Sequence, residues 1–89
     1  MLAARWTSQA SPRWNVARRA DVVQRSLGRR IRQLRLALGW SQEFLADTAR
    51  MHRTYMWGIE QGVRNPSLRH LARIADAFQI SLSVLFEGV

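Results

Sequence analysis

Two short apolar-periodic segments sit almost end to end in the middle of this chain, and their closeness limits its folding options more than any other feature. The first opens at Ser41 and runs through Thr48, with Leu45, Ala46 and Ala49 turned to one side. The second runs from about Arg53 to Gln61 and stops at Gly62, with Met51, Met56 and Ile59 facing inward. Each spans fewer than three turns, a length at which an isolated helix does not persist in water. They must therefore pack across a sharp turn onto a core supplied by the rest of the chain. That core is legible. Ser26 can cap a helix that places Leu27, Ile31, Leu34 and Leu38 on one face, ended by Gly39 as a left-handed C-cap. After a loop at Val63 to Pro66, Ser67 can cap a helix in which Leu68, Leu71, Ile74, Ala75 and Phe78 recur at threes and fours. Ser81 can cap a last short helix carrying Leu82, Leu85 and Phe86. No stretch alternates apolar and polar residues in the manner of a strand. The expectation is an all-α fold of five helices over residues 26–89, preceded by a basic arm at residues 1–25.

Length and charge narrow the function. Eighty-nine residues support one domain. The absence of cysteine excludes disulfide frameworks and cysteine zinc sites. No apolar run approaches the roughly 18 residues of a membrane span, and no secretory-type stretch opens the chain, so a cytoplasmic location without a membrane is expected. The formal net charge of +8 rests wholly on arginine and favours an anionic partner, nucleic acid before membrane surface. Residues 1–25 hold Arg5, Arg13, Arg18, Arg19 and Arg25 against Asp21 alone, so half of the net charge falls in the arm. Residues 1–15 read as flexible. Residues 16–25 can extend a helix through Val16, Ala17, Ala20, Val22 and Val23. The arm's arginine- and serine-rich makeup also resembles a transit peptide, although a disordered extension accounts for it better.

The two central segments have helix-turn-helix geometry, in which the exposed face of the second helix can enter a major groove about 12 Å wide. The outward candidates on that helix are His52, Arg53, Thr54, Trp57 and Gly58. Arginine can pair bidentately with guanine, and threonine can offer a hydroxyl or a methyl. The start of the first helix, at Ser41 and Gln42, presents free amides that suit a phosphate. Arg64 and Asn65 follow closely enough to reach flanking backbone or base edges.

These residues carry a family resemblance. Residues 27–86, about 60 of the 89, resemble the helix-turn-helix family of phage repressors and Cro. The matching pieces are LGRRIRQLRLALGWSQEFLA, YMWGIEQG, RNPSLRHLARIADAF and SLSVLF. Within that family, HRTYMWGIEQGVRN most resembles the small controller proteins of restriction–modification systems. The resemblance implies a compact five-helix, lambda-repressor-like DNA-binding domain that needs no cofactor and binds as a homodimer. It implies that Gln42 meets phosphate or a base edge, that Arg53, Thr54, Trp57 and Gly58 face bases, that Tyr55 lies at the groove edge, and that Arg64 reaches DNA from the loop. It also implies a buried ion pair between Arg35 and Glu60.

Three positions depart from the family pattern. Arg50 stands where the turn usually has glycine, at a cost of about 1 kcal/mol if the backbone is left-handed there. Trp57 replaces a small polar residue. Phe44 replaces the glutamate that would complete a capping box with Ser41. Trp57 has two readings: contact with DNA or a partner, or packing against the arm or a second copy. Gly58 either admits DNA closely or makes room for Trp57. His52 and His70 stand apart without partners at metal-ligand spacing, so no metal site is expected. Leu82, Val84, Leu85 and Phe86 form the expected dimer face.

The leading function is a sequence-specific, double-stranded DNA-binding transcriptional regulator acting as a homodimer on a palindromic operator. An alternative is an antitoxin that autoregulates through the same helices while Trp6 and Trp14 in the arm grip a protein partner. A third is general basic adhesion to RNA or anionic lipid, which explains the charge but not the helix spacing. The arm is either a solubilising extension or a source of phosphate and minor-groove contacts through Arg5, Arg13, Arg18 and Arg19. An enzyme is not expected, because the acids are scattered and no nucleophile or phosphate loop is evident.

Overall fold

Serine oxygens start three of the helices in the computed structural model, which describes residues 13–89. Helix α1 spans Arg13–Ala37, α2 Gln42–Thr48, α3 Arg53–Glu60, α4 Leu68–Phe78 and α5 Leu82–Leu85. Ser41 Oγ accepts from the Phe44 amide at 3.0 Å, Ser67 Oγ from His70 at 3.1 Å, and Ser81 Oγ from Val84 at 3.1 Å. Each cap satisfies an amide that the first helical turn leaves without a partner. Among the described residues there is no strand, and no helix is long and apolar enough to cross a membrane.

The first helix departs from expectation. Ser26 caps nothing: it lies inside α1, which runs unbroken for 25 residues. The reason is local. No glycine or proline lies between Arg13 and Ser26, and alanine, arginine and glutamine there all favour helix. Of the arm residues singled out above, Arg5 and Trp6, and the side chains of Arg13 and Trp14, lie outside the described residues.

One buried cluster joins every helix: Leu27 and Ile31 from α1, Leu45 and Ala46 from α2, Met56 and Ile59 from α3, Leu71, Ile74, Ala75 and Phe78 from α4, and Leu85 from α5. Trp40, before α2, stacks on Phe78 at 5.6 Å and meets Phe44 edge-on at 4.9 Å, tying the α1–α2 turn to α4. Two expected core residues are exposed instead. Leu38 falls beyond the end of α1, where the turn at Gly39 (φ +71°) takes it off the helical stripe. Leu68 is the first residue of α4 and overhangs the edge of the core.

α1 crosses α3 at a glycine. A Cβ on Gly28 would overlap the Ile59 carbonyl oxygen and stand 2.6 Å from that of Glu60. The two backbones can approach this closely only where the side chain is hydrogen. Nearby, Gln24 Nε2 donates to the Gly62 carbonyl at 2.9 Å, pinning α1 to the turn that ends α3. Arg30 Nη2 donates to the Val84 carbonyl at 2.8 Å and Nε to that of Leu85 at 3.3 Å, so α1 also satisfies the C-terminal end of α5.

Candidate nucleic-acid interface

α2 and α3 are joined through Ala49, Arg50 and Met51. Ala49 is buried, and Arg50 adopts φ +56°, the left-handed conformation its position requires. The Met51 amide donates to the Ala46 carbonyl at 2.8 Å and closes the turn. The arginine there carries the cost of about 1 kcal/mol that glycine would avoid.

The turn presents α3 with one face in and one face out. Met56, Ile59 and Glu60 point inward and are buried. Arg53, Thr54 and Trp57 are exposed, and Trp57 keeps half its surface in solvent. With Gln42 from the start of α2 they line a single open concavity. An arginine, a hydroxyl, an amide and an aromatic edge thus share one surface, a set able to meet base edges and phosphate together.

This surface is anchored from beneath by Glu60. Arg35 Nε donates to Glu60 Oε2 at 2.7 Å and Arg35 Nη2 to Oε1 at 2.9 Å, a largely buried bidentate pair. Arg35 Nη1 donates to the Trp40 carbonyl at 2.9 Å. The hydrogen bonds that Arg35 donates to Glu60 raise the Arg35 pKa above its ordinary value; burial opposes the shift and charge attraction adds to it. The stability that Arg35 gains from this shift is present below the ordinary arginine pKa and is lost as pH rises through the raised value. Gln42 Nε2 donates to the same Glu60 Oε1 at 3.2 Å. One N–H of the Gln42 amide is therefore committed to the buried pair, which fixes how the side chain faces the concavity.

The remaining candidates fall in different places. His52 is the N-cap of α3 with no side-chain cap bond, and it borders a second concavity with Asp47, Arg50, Met51 and Arg53. Asn65 is exposed but lines an apolar groove on another side, against Ala20, Val23, Leu27, Pro66 and Phe86. Tyr55 is half-buried, with its ring 4.9 Å from that of His70. Gly58 needs correction as a base-facing residue: it is buried, and outside its two chain neighbours the atoms nearest its missing Cβ all belong to Arg64. Leu85 also needs correction as a dimer-face residue. It is fully buried, since the helical turn from Ser81 directs it into the core, whereas Val84 and Phe86 remain exposed and Leu82 partly so.

Two partners were not foreseen. Glu43 Oε2 lies 3.4 Å from Arg53 Nη1 in an exposed pair. His70 supports Tyr55 from α4 and bonds Ser67 Oγ through Nδ1 at 3.1 Å. Both contacts join separate helices, so no periodicity within one segment signals them.

Comparison with known proteins gives a consistent result. Residues 26–85 match the helix-turn-helix domain family. The control protein C.BamHI of Bacillus amyloliquefaciens is 43% identical over 54 residues, covering 60% of this chain and 67% of that protein. The crystal structure of the restriction-modification controller protein C.AhdI from Aeromonas hydrophila superposes with a TM-score of 0.68 at 40% identity, over 70% of this chain and 94% of that one. The restriction-modification controller protein C.Esp1396I, solved as a tetramer with its natural 35 base-pair operator, gives 0.68 at 34% identity, over 73% of this chain and 86% of that one. Residues 13–25 of α1 precede the matched family region.

Proposed function

The chain belongs to the helix-turn-helix domain family, and on that premise we propose that it is a sequence-specific transcriptional regulator that binds double-stranded DNA in the cytoplasm as a homodimer. One observation carries the reading. Arg53, Thr54 and Trp57 of α3 share an open concavity with Gln42 of α2, while the opposite face of α3 is locked into the core. In this account α3 enters the major groove. Arg53 and Thr54 meet base edges, Trp57 packs on thymine methyls or sugar edges, and Gln42 meets the backbone at the start of α2. Arg64 reaches flanking positions from the loop, and His52 and Tyr55 lie at the groove margin.

A homodimer would carry two copies of α3 about 34 Å apart, matching half-sites one helical turn apart. Leu82, Val84 and Phe86 are the surface proposed for that contact. The relatives named above are described as control or controller proteins, one of them in complex with its operator, which supports regulation rather than catalysis or toxin capture.

Selection of bound sites from random DNA at stated salt, combined with light scattering, tests this reading. The expected result is two half-sites related by a dyad, a dimeric mass, and affinity for the selected site far above that for its scrambled version. Equal competition by scrambled DNA from a monomeric protein would establish general basic adhesion instead.

A further inference from the structure

We propose that Gly58 is a positioning residue for Arg64: by placing no side chain on its side of α3, it gives Arg64 a path across the helix and holds the guanidinium against the Tyr55 ring, ready for DNA. The inference rests on the DNA-binding reading for its consequence, but not for its geometry.

Gly58 lies inside α3 with ordinary helical backbone, so no left-handed conformation demands glycine there. Glycine weakens a helix interior, and its presence needs a packing reason. The reason lies in what a methyl group would meet. A Cβ on Gly58 would overlap Arg64 Cγ and stand 3.4 Å from Cβ and 3.6 Å from Cδ. The loop cannot retreat to relieve this, because the amides of Val63 and Arg64 both donate to the Gly58 carbonyl, at 2.9 and 3.1 Å. Only rotation of the Arg64 side chain is left.

That rotation has a consequence farther along. Arg64 Cζ lies 6.0 Å from the centre of the Tyr55 ring, within range of a cation–π contact. Tyr55 is backed by the ring of His70, which Ser67 holds in turn. The guanidinium is therefore guided by Gly58 beneath and Tyr55 beside it. An arginine preset in this way gives up less rotamer freedom when it binds.

Gly58→Ala and Arg64→Ala, alone and combined, test the proposal on the selected DNA site, together with the Arg64 Nε–Hε resonance in DNA-free protein. Gly58→Ala should melt at or up to about 5 °C above wild type, since alanine favours the helix. Its affinity should fall about tenfold. In the Arg64→Ala background the same change should alter affinity by less than about twofold, because the interaction it disturbs is already gone. The Arg64 resonance should lose its ring-current shift in Gly58→Ala and likewise in Tyr55→Leu. An equal loss of affinity in both backgrounds would mean that the methyl itself meets DNA, and would overturn the proposal. So would wild-type affinity, an unmoved resonance or a lowered melting temperature in Gly58→Ala. Should wild type select no site, the function fails on that arm alone, and the resonance still decides whether Gly58 positions Arg64.

Discussion

The inner and outer faces of α3 belong to the same eight residues but are held in opposite ways. On the inner face the partners are a buried charge and backbone. Glu60 meets a buried guanidinium, and the carbonyls of Ile59 and Glu60 lie against Gly28. On the outer face the partners are exposed side chains: Arg53 pairs with exposed Glu43, and Arg64 lies across Gly58. Two glycines state the difference most sharply. At Gly28 an added methyl meets backbone, and at Gly58 it meets the middle of an arginine. The first substitution is therefore a question about folding and the second about recognition.

The largest effect should come from Glu60→Ala, which leaves Arg35 charged and buried. Urea unfolding should show a loss of about 3–5 kcal/mol, and weakened DNA binding should follow the loss of folded protein. A variant that melts like wild type yet fails to bind would move Glu60 to the outer account. Next comes Gly28→Ala, expected to cost about 1–3 kcal/mol as α1 and α3 are forced apart. Unchanged stability there would mean that the crossing is looser than described. Arg50→Gly should run the other way and gain about 1 kcal/mol by relieving the left-handed turn. The smallest effect belongs to Glu43→Ala. An exposed pair of this kind contributes within about 0.5 kcal/mol, so calorimetry should find stability unchanged, and DNA affinity should hold or rise as Arg53 is released. A clear loss of stability would show that the outer face also supports the fold.

Most of the fold is legible because local signals agree with the packing. Ser41, Ser67 and Ser81 each cap a helix and are followed by an apolar stripe that reaches the core. Residues 16–25 are helical as their apolar positions suggest, but Ser26, a credible cap, divides them on paper from a helix that the structure keeps continuous, because the absence of a breaker is a weaker signal than a cap's presence. Leu38 and Leu68 keep the right period but lie past the ends of the surface that buries it. At the interface, Arg53, Thr54 and Trp57 follow from the phase of α3 alone. The surroundings of Gly58 are not legible for a physical reason: they include Arg64, which returns across the helix from the loop. A lone glycine within a helical pattern signals a packing need without naming the partner. Gly28 carries the same signal, and its partner is the backbone of another helix.

The central claim is that the outer face of α3 chooses the DNA site. It is tested most directly by measuring wild type and Arg53→Ala against every single base-pair variant of the selected half-site at fixed salt. The account predicts that Arg53→Ala keeps wild-type melting and loses about 1–3 kcal/mol on the selected site. It further predicts that the variant stops discriminating at one base pair in each half-site while retaining its preferences elsewhere. A uniform loss across all variants would make Arg53 a phosphate contact, and an unchanged discrimination profile would place site choice on another surface of the protein.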